Sequence, residues 1–116
     1  MKNTVLEKAK NHFLEQINGE MKSVYVKEWD VKIFWKPMNS LQRDRIMAYA
    51  FKDEMSSAAV ETVILRSLDE DGRRIFADAD KSSLMRNVDP KVIDFIFAEM
   101  GGIDDDLMPE IDEVKK

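Results

Sequence analysis

A chain of 116 residues has the length of one domain and enough mass to bury a modest core. Its 23 acidic and 18 basic residues give a net charge of -5, which opposes the counterion displacement that nucleic-acid binding needs. Cysteine is absent, which removes disulfides, thiol nucleophiles and zinc-thiolate sites; no apolar run approaches the ~18 residues of a membrane span and no signal peptide is recognisable, so the chain reads as soluble and intracellular.

Thr4 followed by Glu7 fits a capping box, and Val5, Leu6, Ala9, Phe13 and Ile17 then recur at helical spacing. Asn18-Gly19 ends that helix. From Ser23 to Trp35 the pattern changes to Val24-Tyr25-Val26 and Val31-Lys32-Ile33-Phe34-Trp35, β-branched and aromatic residues that predict a hairpin, stopped by Pro37. Val31, Ile33 and Trp35 share one strand face and Phe34 points to the other. Asn39 or Ser40 caps the next helix, with Gln42 three residues past Asn39. Its stripe is Ile46, Met47, Ala50, Phe51 and Met55. Ser56-Ser57 weakens the helix without a certain break, and Ala58, Ala59, Val60, Val63, Ile64 and Leu68 continue the pattern.

Leu65 to Asp80 then reads as the end of that helix, an acidic turn and a cap. Asp71-Gly72 supplies the positive φ of a reversal, Ile75 and Phe76 drop onto the core, and Asp78 accepts from the first free amides of a short helix over 78–87. Asp89-Pro90 opens a last helix, with Val92, Ile93, Phe95, Ile96, Phe97 and Met100 apolar, closed by Gly101-Gly102. Residues 103–116 are acidic and poor in core-formers, so the expected division is one domain over 1–102 and an acidic tail over 103–116. The fold class expected is α+β: a mainly helical single domain with one small antiparallel hairpin.

Tests for chemistry return little. The lone histidine, His12, has no second histidine or nucleophile at a useful spacing and reads as a surface or boundary residue. Asp69-Glu70-Asp71-Gly72 superficially suggests a calcium loop, but position 67 is serine and the place of the bidentate glutamate holds Asp78, so a hairpin-like connector fits better. No catalytic residue, metal site or cofactor is expected. The basic pairs Arg43/Arg45 and Arg73/Arg74 have acidic neighbours, and no glycine-rich phosphate loop is present.

What stands out is adaptable apolar surface. There are eight methionines, a residue type that fills cores and also recurs at accommodating interfaces. The hairpin carries apolar groups on both faces, and a two-stranded hairpin covers only one against its own helices. Either the first helix or a second protein covers the other. The residues expected to meet a partner are Trp29, Phe34, Trp35, Met38, Met47 and Phe51.

Three segments together resemble the tail assembly chaperones of long-tailed phages. Glu28 to Met38, followed by Asn39 to Asp44, is similar to the family's strand that runs into a polar cap and helix. Leu65 to Asp80 is similar to its acidic-Gly connector, and Val88 to Phe97 to its closing helix. The likeness spans roughly residues 20 to 101. It implies a non-enzymatic protein of the infected host cytoplasm. Such a protein binds tail tube subunits and the tape measure protein during tail polymerisation and is absent from the finished virion. Self-association is expected on separate grounds, from the two-faced apolar hairpin and the apolar last helix. In many such phages a ribosomal frameshift near the end of the frame makes a longer form. Two other classes remain from the residues alone. One is a helix-turn-helix DNA-binding regulator built on residues 40–68, which lacks a basic recognition helix. The other is a hydrolase using clustered acids, which lacks a paired base. Neither nucleic acid nor membrane is expected as a partner.

Overall fold

Over residues 4–102, which the computed structural model describes, the elements follow the predicted order: α1 (Thr4–Ile17), β1 (Lys22–Val26), β2 (Val31–Trp35), α2 (Ser40–Phe51), α3 (Met55–Arg66), α4 (Lys81–Arg86) and α5 (Pro90–Glu99). This is a mainly helical α+β arrangement with one antiparallel hairpin. The expected tail, 103–116, lies outside the described residues.

The hairpin pairs Lys22 with Trp35, Val24 with Ile33 and Val26 with Val31. Between the strands, Lys27–Trp29 form a single 3-10 turn and Asp30 takes the left-handed conformation at φ 51°, a region that aspartate tolerates better than most side chains. Cross-strand partners share a face, so Val24, Val26, Ile33 and Trp35 point one way and Ser23, Tyr25, Lys32 and Phe34 the other. The first set meets α3 and α5. Val26, Ile33 and Trp35 join Val63, Ile64, Val92 and Ile96 in the main core. Burying each such aliphatic side chain is worth about 1.5–3 kcal/mol.

The acidic connector does more than link helices. The Phe34 amide donates to the Leu68 carbonyl at 2.9 Å and the Leu68 amide to the Phe34 carbonyl at 2.8 Å, so the connector pairs along the free side of β2. It then reverses at Gly72, φ 83°, and Arg74 pairs with Leu68. Asp69 organises this reversal, its carboxylate accepting from the amides of Asp71 and Arg73, both at 2.9 Å. Two expectations about this stretch are corrected. Ile75 stays exposed while Phe76 packs on the core. The helix start is satisfied by Asp80, which accepts from the Ala77 amide at 2.8 Å, rather than by Asp78. Residues 78–80 form a 3-10 turn ahead of α4.

The cap of α2 is the predicted one: the Gln42 amide donates to Asn39 Oδ1 at 2.9 Å and the Asn39 amide to Gln42 Oε1 at 3.0 Å. The break after α2 falls earlier than Ser56-Ser57. Asp53 is left-handed, φ 63°, and the amides of Asp53 and Glu54 donate back to the carbonyls of Ala50 and Tyr49, a Schellman ending without glycine. The same motif, built on Gly101-Gly102, closes α5. At the other end of α5, Asp89 caps the Lys91 amide at 3.0 Å. Freed by the break, α3 runs through the centre, with every residue from Ala58 to Arg66 buried. A second, smaller cluster of Ile46, Met47, Ala58 and Leu65 seals α2 against it.

In contrast, α1 buries none of its residues, and Thr4, expected to cap it, is already helical. The radius of gyration, 15.6 Å, exceeds the roughly 13 Å of a compact domain of this length, as a helix standing off the body would require.

Candidate partner-binding surface

The six residues expected to meet a partner occupy three kinds of place. Trp35, 4% exposed, and Met47 are interior: the first fills the main core and the second the α2–α3 cluster, so neither has surface to offer in this fold. Trp29 and Met38 are half-buried, packed against the main and the smaller cluster respectively. Phe34 is half-buried on the hairpin face opposite Ile33 and Trp35, with Lys32 Nζ 5.4 Å from its ring centroid. Phe51 is the one fully displayed, at 79% exposure.

The open hairpin face is completed by Tyr25, whose hydroxyl donates to Asp30 Oδ1 across the turn. That hydrogen bond holds the phenol above its usual pKa, with a smaller contribution from partial loss of hydration. No residue of α1 is buried against this face, so α1 does not cover it as a core helix would.

Further apolar groups outside those six lie on the surface. Leu41, 75% exposed, sits on α2 with Phe51, and Val5 and Leu14 lie on α1. Met85 and Phe95 are exposed, and Met85 joins Val60, Leu84, Val88 and Ile93 in lining a groove of about 280 Å³ between the start of α3, α4 and α5. Helical periodicity marks such residues as core-facing, and only the position of each helix in the fold reveals which have no neighbour.

The polar side of α2 carries a charge network that local patterns do not reveal, because its members are far apart in the chain. Glu61, buried on α3, pairs with Arg45 at 2.6 Å and with Lys81 at 3.9 Å. Lys81 also donates to the Tyr49 hydroxyl and lies over its ring. Asp78 links Arg45 at 3.6 Å to Arg74 at 3.2 Å. The network ties α2, α3 and the start of α4 together. It resembles a structural clamp more than a catalytic dyad, since each carboxylate already faces a cation.

The helix-turn-helix reading fails on α3. A recognition helix must lay an exposed face in a groove of DNA, whereas α3 is buried at every residue from Ala58 to Arg66 and is exposed only over its first turn.

No family model and no curated protein matches the chain. Among solved structures, the tail assembly chaperone of bacteriophage HK97 does, with a TM-score of 0.56 over 82% of this chain and 99% of that one, at 15% sequence identity. The two chains share a fold. The match extends over nearly all of the HK97 chaperone, so the likeness concerns a whole domain rather than a common helical fragment. At so low an identity it is carried by the arrangement of elements.

Proposed function

We propose that this protein is a tail assembly chaperone of a long-tailed phage. On this reading it acts in the host cytoplasm, binds tail tube subunits and the tape measure protein while the tail polymerises, and leaves before the virion is complete. The observation that carries the proposal is the whole-domain likeness to the HK97 tail assembly chaperone. Its chemistry supports the role. An assembly chaperone must cover adhesive surfaces and then release them, and this chain combines displayed apolar side chains with a high density of charge. The role is non-enzymatic and needs no cofactor. Of the six residues named from the sequence, Phe51 and Phe34 have the most to give a partner, with Trp29 and Met38 at the margin. Leu41, at the opposite end of α2, is a second displayed apolar group.

Co-expression with the tail tube and the tape measure protein, followed by a pull-down in the presence of chelator, tests the proposal. Retention of either partner, weakened by Phe51→Ser, is the expected result. Failure to retain both would overturn it.

A further inference from the structure

We infer that the groove between α1 and the body of the domain is the docking site for this chain's own acidic segment, residues 103–116. The groove, about 300 Å³, is lined on its apolar part by Phe13 and Ile17 of α1 and by Leu65 and Leu68. Its charged lining is Lys36, Arg66 and Arg74, and no acidic side chain lines it among the described residues. In a protein of net charge -5 that is a local reversal of sign.

The basic groups are held in place. Arg66, 5% exposed, donates from one guanidinium nitrogen to the Met100 carbonyl at 3.0 Å and from the other to the Lys36 carbonyl at 2.8 Å. Arg74 donates to the Ile64 carbonyl at 3.0 Å and is already paired with Asp78 at 3.2 Å, which leaves Lys36, among the described residues, as the cation free to meet an acidic chain. Lys36 Nζ lies over the connector turn, 3.7 Å from where a Cβ on Gly72 would stand, and has no carboxylate within 4 Å among the described residues.

The same contacts say which acidic chain is nearest. Arg66 grips the carbonyl of Met100, so the backbone passes the groove's basic end two residues before Gly102. Asp104, Asp105 and Asp106 follow at once, then Leu107 and Met108, then Glu110, Ile111, Asp112 and Glu113. Four residues of extended chain span at most about 14 Å, so the aspartates need no long excursion to reach Lys36. An acidic run followed by apolar residues matches a groove lined by both basic and apolar groups, and a tethered ligand is present at high effective concentration. This inference does not depend on the chaperone reading.

Zero-length carbodiimide cross-linking of the full chain tests it, with an equal mixture of isotope-labelled and unlabelled copies to tell own-chain links from links between copies. Lys36 is expected to join Asp104, Asp105 or Asp106 within one copy. Amide exchange over residues 104–108 is expected to be about tenfold faster in Lys36→Glu than in the parent, and slower again when Asp104→Lys and Asp105→Lys are added. Melting of each variant guards against unfolding, and Lys36→Gln serves if the reversal does not fold. Links that form only between labelled and unlabelled copies would reassign the groove to a second copy. Absence of links, with exchange unchanged by either Lys36 variant, or protection that appears only when another protein is added, would overturn the proposal.

Discussion

At the residue scale, the two faces of the hairpin separate stability from display. Trp35→Ala should cost roughly 3–5 kcal/mol, because it empties a site enclosed by α3 and α5. Phe34→Ala should cost about 1–2 kcal/mol, because its ring is half-buried and its backbone pairing with Leu68 survives the substitution. One melting curve per variant compares them; equal losses would mean that Phe34 is as much a core residue as Trp35. Tyr25 offers a second measurement. Its hydrogen bond to Asp30 raises the phenol's pKa above the ordinary value of about 10. The folded chain therefore holds that proton after the unfolded chain has begun to lose it. The contribution to stability is complete below the unfolded pKa and lost as pH rises through the folded one. Spectrophotometric titration of Asp30→Asn against the parent should show one tyrosine ionising at lower pH in the variant. Identical curves would remove the hydrogen bond from the account.

At the scale of elements, the decisive object is α3. Its burial on all sides requires that Glu61 be neutralised inside the protein, and Arg45 and Lys81 do this from α2 and α4. Glu61→Gln keeps the shape and removes the charge. Breaking a fully buried pair costs roughly 3–5 kcal/mol, but Arg45 and Lys81 are partly exposed and can recover water, so a loss of about 1–2 kcal/mol is expected in thermal melting. A variant as stable as the parent would show that hydration of Arg45 and Lys81 fully offsets the lost pairing. The connector belongs to the same scale. It pairs along β2 and leaves β1 as the sheet's other edge, so a loop predicted for its turn chemistry becomes part of the sheet.

For the molecule as a whole, α1 is the anomaly. Phe13 and Ile17 of this amphipathic helix turn toward the body of the domain, but none of its residues is buried and Val5 stands 74% exposed. Self-association through α1 is the expected consequence. Sedimentation across a range of concentrations should show a mass that grows with concentration in the parent and less so in Val5→Ser with Leu14→Ser. A strict monomer at high concentration would leave α1 to heterologous partners.

Local chemistry determined a good part of this protein. The Asn39–Gln42 box, Asp89-Pro90, Gly101-Gly102, the reversal at Gly72 and the alternation of Ile33, Phe34 and Trp35 each depend on residues a few positions apart, and all stand where the chain placed them. The break at Asp53 was hidden because a left-handed aspartate carries no signature as clear as glycine's. Display was decided by tertiary structure alone. Met47 and Phe51 lie one helical turn apart on the same predicted stripe, yet one is sealed against α3 and the other faces solvent, because α2 meets its neighbour over only part of that stripe. The meeting of Glu61 with Arg45, and of Leu68 with Phe34, likewise required the fold. Pairings across sixteen and thirty-four positions leave no periodic trace, since nothing in a single sequence encodes which distant residues packing will bring together.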